Sequence, residues 1–184
     1  MPRHLPIMKL NVPHIDQNDP YSCVPICPKM VLTYLVIENK IRVPDLTLDQ
    51  IRKAVDTRID GTNLDNVSKI NRKLVRGASH RVEFMTSEGN AFDVIKRELA
   101  EGRPVIAWIR QTSDERVLGH SVVITGLDEA SLTITYDDPM EGERTQNIPT
   151  FMREWDNNAN VLVMVRVDRK PPQMELEDFQ NASR

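Results

Sequence analysis

The chain runs in two hydrophobic rhythms, and the change from one to the other divides it. Over the first hundred or so residues, apolar positions recur at helical spacing. Met30, Val31, Tyr34 and Leu35 repeat behind a polar, turn-rich segment and predict a helix over 25–38. Prolines are accepted at its start, because the first N–H groups of a helix have no partner in any case. Thr47-Leu48-Asp49-Gln50 reads as a capping box opening a helix to about Val55. Thr62-Asn63-Leu64-Asp65 opens another to about Val75, and Phe92, Ile95 and Leu99 define a third over 91–101, stopped by Gly102.

The second rhythm is that of strands. Pro104-Val105-Ile106-Ala107-Trp108-Ile109 is an apolar run of buried type, followed by strands over 120–125 and 131–136 with a hairpin connection at 126–130. A short helix over 149–155 precedes a final strand over 161–167. Earlier, 81–85 alternates as a strand and 7–12 reads as a short strand or arm. Helices first and antiparallel strands afterwards predict an α+β domain, with a central helix packed on one antiparallel sheet. The segments 110–118 and 141–148 read as loops beside any cleft.

Composition narrows the classes. With 184 residues, 40% of them hydrophobic, the chain suits one domain over 1–168, with a charged, proline-containing tail over 169–184 expected to be loosely held. A net charge of −3 without a basic stripe argues against a nucleic-acid partner. No apolar run approaches the roughly 20 residues of a membrane span. The N-terminus Met1-Pro2-Arg3-His4 lacks a signal-peptide core, and two cysteines make no disulfide scaffold. A cytoplasmic protein with reduced thiols is expected; oligomeric state is not legible.

Candidate chemistry centres on Cys23, where a polar loop meets the apolar helix. A cysteine at a helix N-terminus faces unpaired N–H groups and the positive end of the helix dipole, both favouring thiolate. Of the histidines His4, His14, His80 and His120, the last follows Gly119 and opens an apolar strand, the position best placed to face a cleft. Asp138 ends the strand across the hairpin, and Pro139 after it fixes its backbone as extended. Asp137 is the alternate, because strand register cannot be read to one residue. Gln17 can offer a side-chain N–H to an oxyanion near the sulfur. Together Cys23, His120, Asp138 and Gln17 form a constellation for nucleophilic acyl chemistry. Cys27, one turn beyond Cys23, reads as a packing residue. The spacing supports no metal site and no cofactor. Trp108 and Trp155 read as core or cleft-wall residues.

The order of these pieces resembles the papain-like cysteine peptidase superfamily, and within it the double-glycine (bacteriocin-leader) peptidase group and its stand-alone relatives. The resemblance is carried by Val12-Pro13, Gln17 to Cys23, Gly102-Arg103-Pro104-Val105-Ile106, Gly119-His120 followed by the apolar strand ending at Gly126, and Asp138-Pro139. It covers about residues 10 to 165 and departs at Val24-Pro25, where family members commonly carry glycine after the cysteine. It implies a papain-like fold, a peptide or protein substrate, and a cysteine peptidase using Cys23, His120, Asp138 and Gln17. An acyl or peptidyl transferase on the same scaffold and a non-catalytic peptide-binding domain are the rival expectations.

Overall fold

In the computed structural model, which describes residues 8–74, 80–87, 92–113, 116–156 and 161–169, the two rhythms become helices and one sheet. The helical half gives α1 (Cys23–Ile37), α2 (Leu48–Ala54), a 3-10 helix (Leu64–Ile70) running into the single turn α3 (Asn71–Leu74), and α4 (Phe92–Ala100). The strands are β1 (Met8–Lys9), β2 (His80–Ser87), β3 (Val105–Ser113), β4 (Arg116–Asp128), β5 (Thr133–Asp138), β6 (Gly142–Asn147) and β7 (Leu162–Arg169), with α5 (Ile148–Asp156) before the last. The tail from 170 onward lies outside the described residues.

Local signals explain the boundaries. Thr47 caps α2, taking the Gln50 N–H while the Gln50 side chain takes its own, a box worth about 1 kcal/mol. The chain leaves α4 through Gly102 at φ 72, a left-handed turn that favours glycine. The expected helix over 62–75 is instead a 3-10 segment and one α turn. Its polar side chains compete with the helix: Asn63 caps the Asp65 N–H and the Ser68 hydroxyl bonds back to the Asp65 carbonyl.

The sheet is antiparallel in the order β2-β7-β3-β4-β5-β6, and β1 adds to β4. Alternation along the central strands separates two cores. Ile106, Val123, Val163 and Val165 pack with α1, α2 and the 3-10 helix. Val105, Ala107, Ile109, Val122 and Ile124 face Ile95 and Leu99 of α4 and Phe151 and Trp155 of α5. Helices therefore cover both faces. The first two turns of α1 are buried nearly all round, from Cys23 through Pro28, so this helix is a core element.

Two loop expectations are corrected. The segment 110–118 is mostly paired strand, since β3 runs to Ser113 and β4 begins at Arg116. The segment 141–148 is mostly β6, an edge strand without an apolar residue, held to β5 by its backbone ladder and by a Thr135–Thr145 hydroxyl contact of 3.0 Å. Among the described residues, no helix is long and apolar enough to cross a membrane.

Candidate active site

Cys23 is the first residue of α1, preceded by Ser22 as the capping position. The first helical bond runs from the Ile26 N–H to the Ser22 carbonyl at 3.1 Å. The N–H groups of Cys23 and Val24 thus have no helical partner, and Pro25 has none to offer. Substituting Val24-Pro25 for a glycine keeps these two donors at the helix end while burying Val24 completely.

The loop before Cys23 is pinned from the other side by α2. Asp19 accepts the Tyr21 N–H at 3.0 Å and the Ser22 hydroxyl at 2.7 Å. Arg52 of α2 donates to Asp19 at 2.8 Å and to the Ser22 hydroxyl at 3.0 and 3.2 Å. Nothing in the sequence spacing announces this clamp, because Arg52 and Asp19 are distant in the chain and unremarkable in type.

His120 lies in β4, 4% exposed, and Asp138 ends β5, 1% exposed. The His120 Nε2–H donates to Asp138 Oδ1 at 2.8 Å. Since a carboxylate only accepts, Nε2 carries the proton, and Nδ1 is the nitrogen left for Cys23. Burial alone would lower the imidazole pKa, yet hydrogen bonds to Asp138 and Cys23, with their charges, push it up to about 9. Burial would likewise raise the Asp138 carboxyl. The hydrogen bond and charge of His120, with the N–H groups of Met140 and Glu141, hold it below the ordinary value. The structure therefore hydrogen-bonds His120 to Asp138 and sets Cys23 close enough to the imidazole to raise its pKa.

Asp137 is not the partner of His120. It points to His14, whose Nδ1 lies 2.5 Å from its Oδ1, while His14 Nε2 lies 2.9 Å from Asp16. His14 has no part in the constellation read from the sequence; its position three residues before Gln17 is the available signal.

Gln17 sits in the same loop, its backbone N–H bonded to the Pro139 carbonyl at 2.6 Å. Its side-chain amide donates to the Asp19 carbonyl at 2.5 Å, leaving one N–H over, and its Oε1 is buried without a protein partner. Cys27 is fully buried beside Ser121, and burial pushes its thiol well up, so the expected packing role fits. Trp155 is core, its indole N–H donating to the Val161 carbonyl at 3.1 Å. Trp108 is half-buried and its ring lies against Gly119, so that a Cβ added there would stand 2.1 Å from its Cζ2. Among the described residues no cluster of His, Cys, Asp or Glu could hold a metal ion.

Comparison with known proteins places this arrangement. The model of the Peptidase_C39 like family matches residues 9–163. A double glycine motif protease from an AMS/PCAT transporter, solved in complex with the leader peptide, is similar with a TM-score of 0.56 and 20% identity, covering 85% of this chain and 92% of that one. A structure from Bacillus anthracis described as a C39-like peptidase is similar with a TM-score of 0.64 and 13% identity, covering 90% of this chain and 100% of that one. No curated protein sequence matches the chain.

Proposed function

Because the chain belongs to the Peptidase_C39 like family, we propose that it is a cysteine peptidase cleaving a peptide or amide bond through Cys23, His120, Asp138 and Gln17. One observation carries the reading: the buried imidazole of His120 donates to the buried Asp138 carboxylate at 2.8 Å, and Asp138 and Cys23 together push its pKa up to about 9. A cation beside a thiol favours the thiolate, and a thiolate–imidazolium pair is the nucleophile of this reading.

The steps follow from this geometry. Cys23 Sγ attacks the scissile carbonyl carbon, and the carbonyl π pair moves onto oxygen. The Cys23 N–H at the helix end and the remaining Gln17 side-chain N–H stabilise that oxyanion. As the C–N bond breaks, His120 Nδ1 passes its proton to the leaving amine, and a thioester remains on Cys23. Water then attacks the thioester with His120 as base, releasing the acid and the thiolate. An amine in place of water makes the same scaffold a transferase. A peptide substrate is supported by the leader peptide bound to the similar double glycine motif protease.

The rival reading, a peptide-binding domain without cleavage, is favoured by one observation: the Gln17 amide is engaged by the Asp19 carbonyl. Alkylation by iodoacetamide, read at each cysteine by mass spectrometry, separates the two. A peptidase labels Cys23 fast at about pH 6, and the His120→Ala variant loses that rate, with Cys27 silent throughout. Labelling that rises only near the free-thiol value of about 8.5, and ignores the variant, leaves the binding domain.

A further inference from the structure

We propose that His14 is a positioning residue for the reaction, its imidazolium clamping the Gln17 loop to the strand that carries Asp138. The proposal rests on the reading of Gln17 as an oxyanion donor. It begins from a second His–Asp pair beside the first. Asp137 and Asp138 are consecutive in β5 and point to opposite faces, Asp138 to His120 and Asp137 to His14.

Both ring nitrogens of His14 meet carboxylates, Nδ1 on Asp137 at 2.5 Å and Nε2 on Asp16 at 2.9 Å. A neutral imidazole has one N–H and one lone pair, so it would turn that lone pair toward a carboxylate oxygen. Only the imidazolium donates to both. Burial would lower the His14 pKa, but its bonds to Asp137 and Asp16 raise it above the ordinary 6.5.

The cation has structural leverage. Asp137 is 5% exposed; burial raises its carboxyl, His14 draws it back down, and the charges of Glu143 of β6 and of Asp138 add to the rise. Glu143 is paired to Lys9 of β1, which leaves His14 as the cation facing Asp137 among the described residues. His14 thus joins β5 to the loop three residues before Gln17, reinforcing the backbone bond from Gln17 to Pro139. Deprotonating or replacing it leaves a buried carboxylate uncompensated and leaves the loop on its backbone bond alone. Gln17, already carrying a buried and unpartnered Oε1, then loses its fixed aim.

Two probes of Cys23 separate aim from reactivity. p-Nitrophenyl acetate acylates the sulfur through a tetrahedral oxyanion: the S–C bond forms, the ester C–O bond breaks, and p-nitrophenolate leaves. Iodoacetamide alkylates the same sulfur by displacing iodide, with no oxyanion. His14→Gln is expected to slow the acylation burst at neutral pH by about 10-fold while alkylation changes less than about twofold. His14→Arg, which keeps the charge and offers a fork to both carboxylates, should restore most of the ratio. In the wild type, the acylation-to-alkylation ratio falls as pH rises through the His14 titration, followed by NMR; in His14→Arg it stays flat.

An unchanged ratio in His14→Gln, or both rates falling together, overturns the clamp. So does NMR showing His14 neutral below its ordinary value. A wild type that alkylates only as an ordinary thiol removes the peptidase reading, and the clamp with it, which distinguishes that failure from the others.

Discussion

Replacing Asp138 by Asn isolates the charge that the site depends on. Asp138 Oδ1 accepts both the His120 Nε2–H at 2.8 Å and the Met140 N–H at 2.8 Å, and an amide oxygen can take both. The shape is kept and the charge is lost. The rise of His120 from 6.5 to about 9 corresponds to about 3 kcal/mol in favour of the imidazolium, shared between Asp138 and Cys23. Without the carboxylate, burial opposes the cation and Cys23 is left to support it. The His120 titration, followed by imidazole NMR, should fall by at least about one pH unit.

The loss reaches Cys23. An ordinary thiol with a pKa near ~8.5 is about 0.3% thiolate at about pH 6, so a pre-formed ion pair has an advantage of a few hundredfold. The lower nucleophilicity of a stabilised thiolate offsets part of this, leaving an alkylation loss of about 10-fold or more in Asp138→Asn. Stability must change with the matching sign. A raised His120 pKa contributes stability that is complete below 6.5 and lost as pH rises through about 9. The variant should flatten that decline in a denaturant series across the same window. His120 titrating near 9 in the variant, or alkylation at the wild-type rate, refutes the reasoning.

Other perturbations test the surroundings. Gly119→Ala puts a Cβ 2.1 Å from Trp108 Cζ2 and should cost about 1–3 kcal/mol in denaturant unfolding, a penalty absent in a Trp108→Ala background. Glu98, fully buried, binds Arg103 at 2.7 Å and Arg166 at 2.5 and 3.0 Å, so Glu98→Gln, which leaves both partly exposed arginines without that charge, should destabilise by about 1–3 kcal/mol at neutral pH. Burial would raise the Glu98 carboxyl, but Arg166 and Arg103 lower it below 4.5. Its contribution is therefore present above that value and lost on acidification, and the variant should show a shallower acid limb in pH-dependent unfolding. Arg52→Met removes the clamp on Asp19 and Ser22 while keeping the stem; faster hydrogen exchange over 19–23 and slower Cys23 alkylation are the expected readouts.

The parts of the fold written in local patterns were legible. The α1 run, the Thr47 box, the Gly102 stop and the central apolar strands each follow from neighbours within a few residues. What escaped was set by distance. β6, Gly142–Asn147, has no apolar alternation because neither of its faces enters a core, and its pairing with β5 makes it a strand. Cys23 and His120 were legible as candidates through the order of motifs along the chain. His14 and Arg52 were not, since their partners Asp137 and Asp19 become neighbours only once the sheet and α2 are in place.

The ambiguity between Asp137 and Asp138 has a single physical origin. Across β4 and β5, Gly126 pairs with Thr135 but Ile124 pairs with Tyr136, so Thr125 is an extra residue in β4. That bulge shifts the register by one and exchanges the two faces of β5. With the bulge, Asp138 shares the face of His120; without it, Asp137 would. The arm before the candidate site is fastened at the same place: the Leu10 N–H bonds the Thr125 carbonyl at 2.7 Å, and a Cβ on Gly126 would stand 2.9 Å from the Met8 carbonyl. One inserted residue thus selects which carboxylate meets His120, releases the other to His14, and anchors the strand from which the Gln17 loop departs. Each consequence depends on pairing between strands, which is why adjacent aspartates of identical chemistry take separate partners that no local pattern distinguishes.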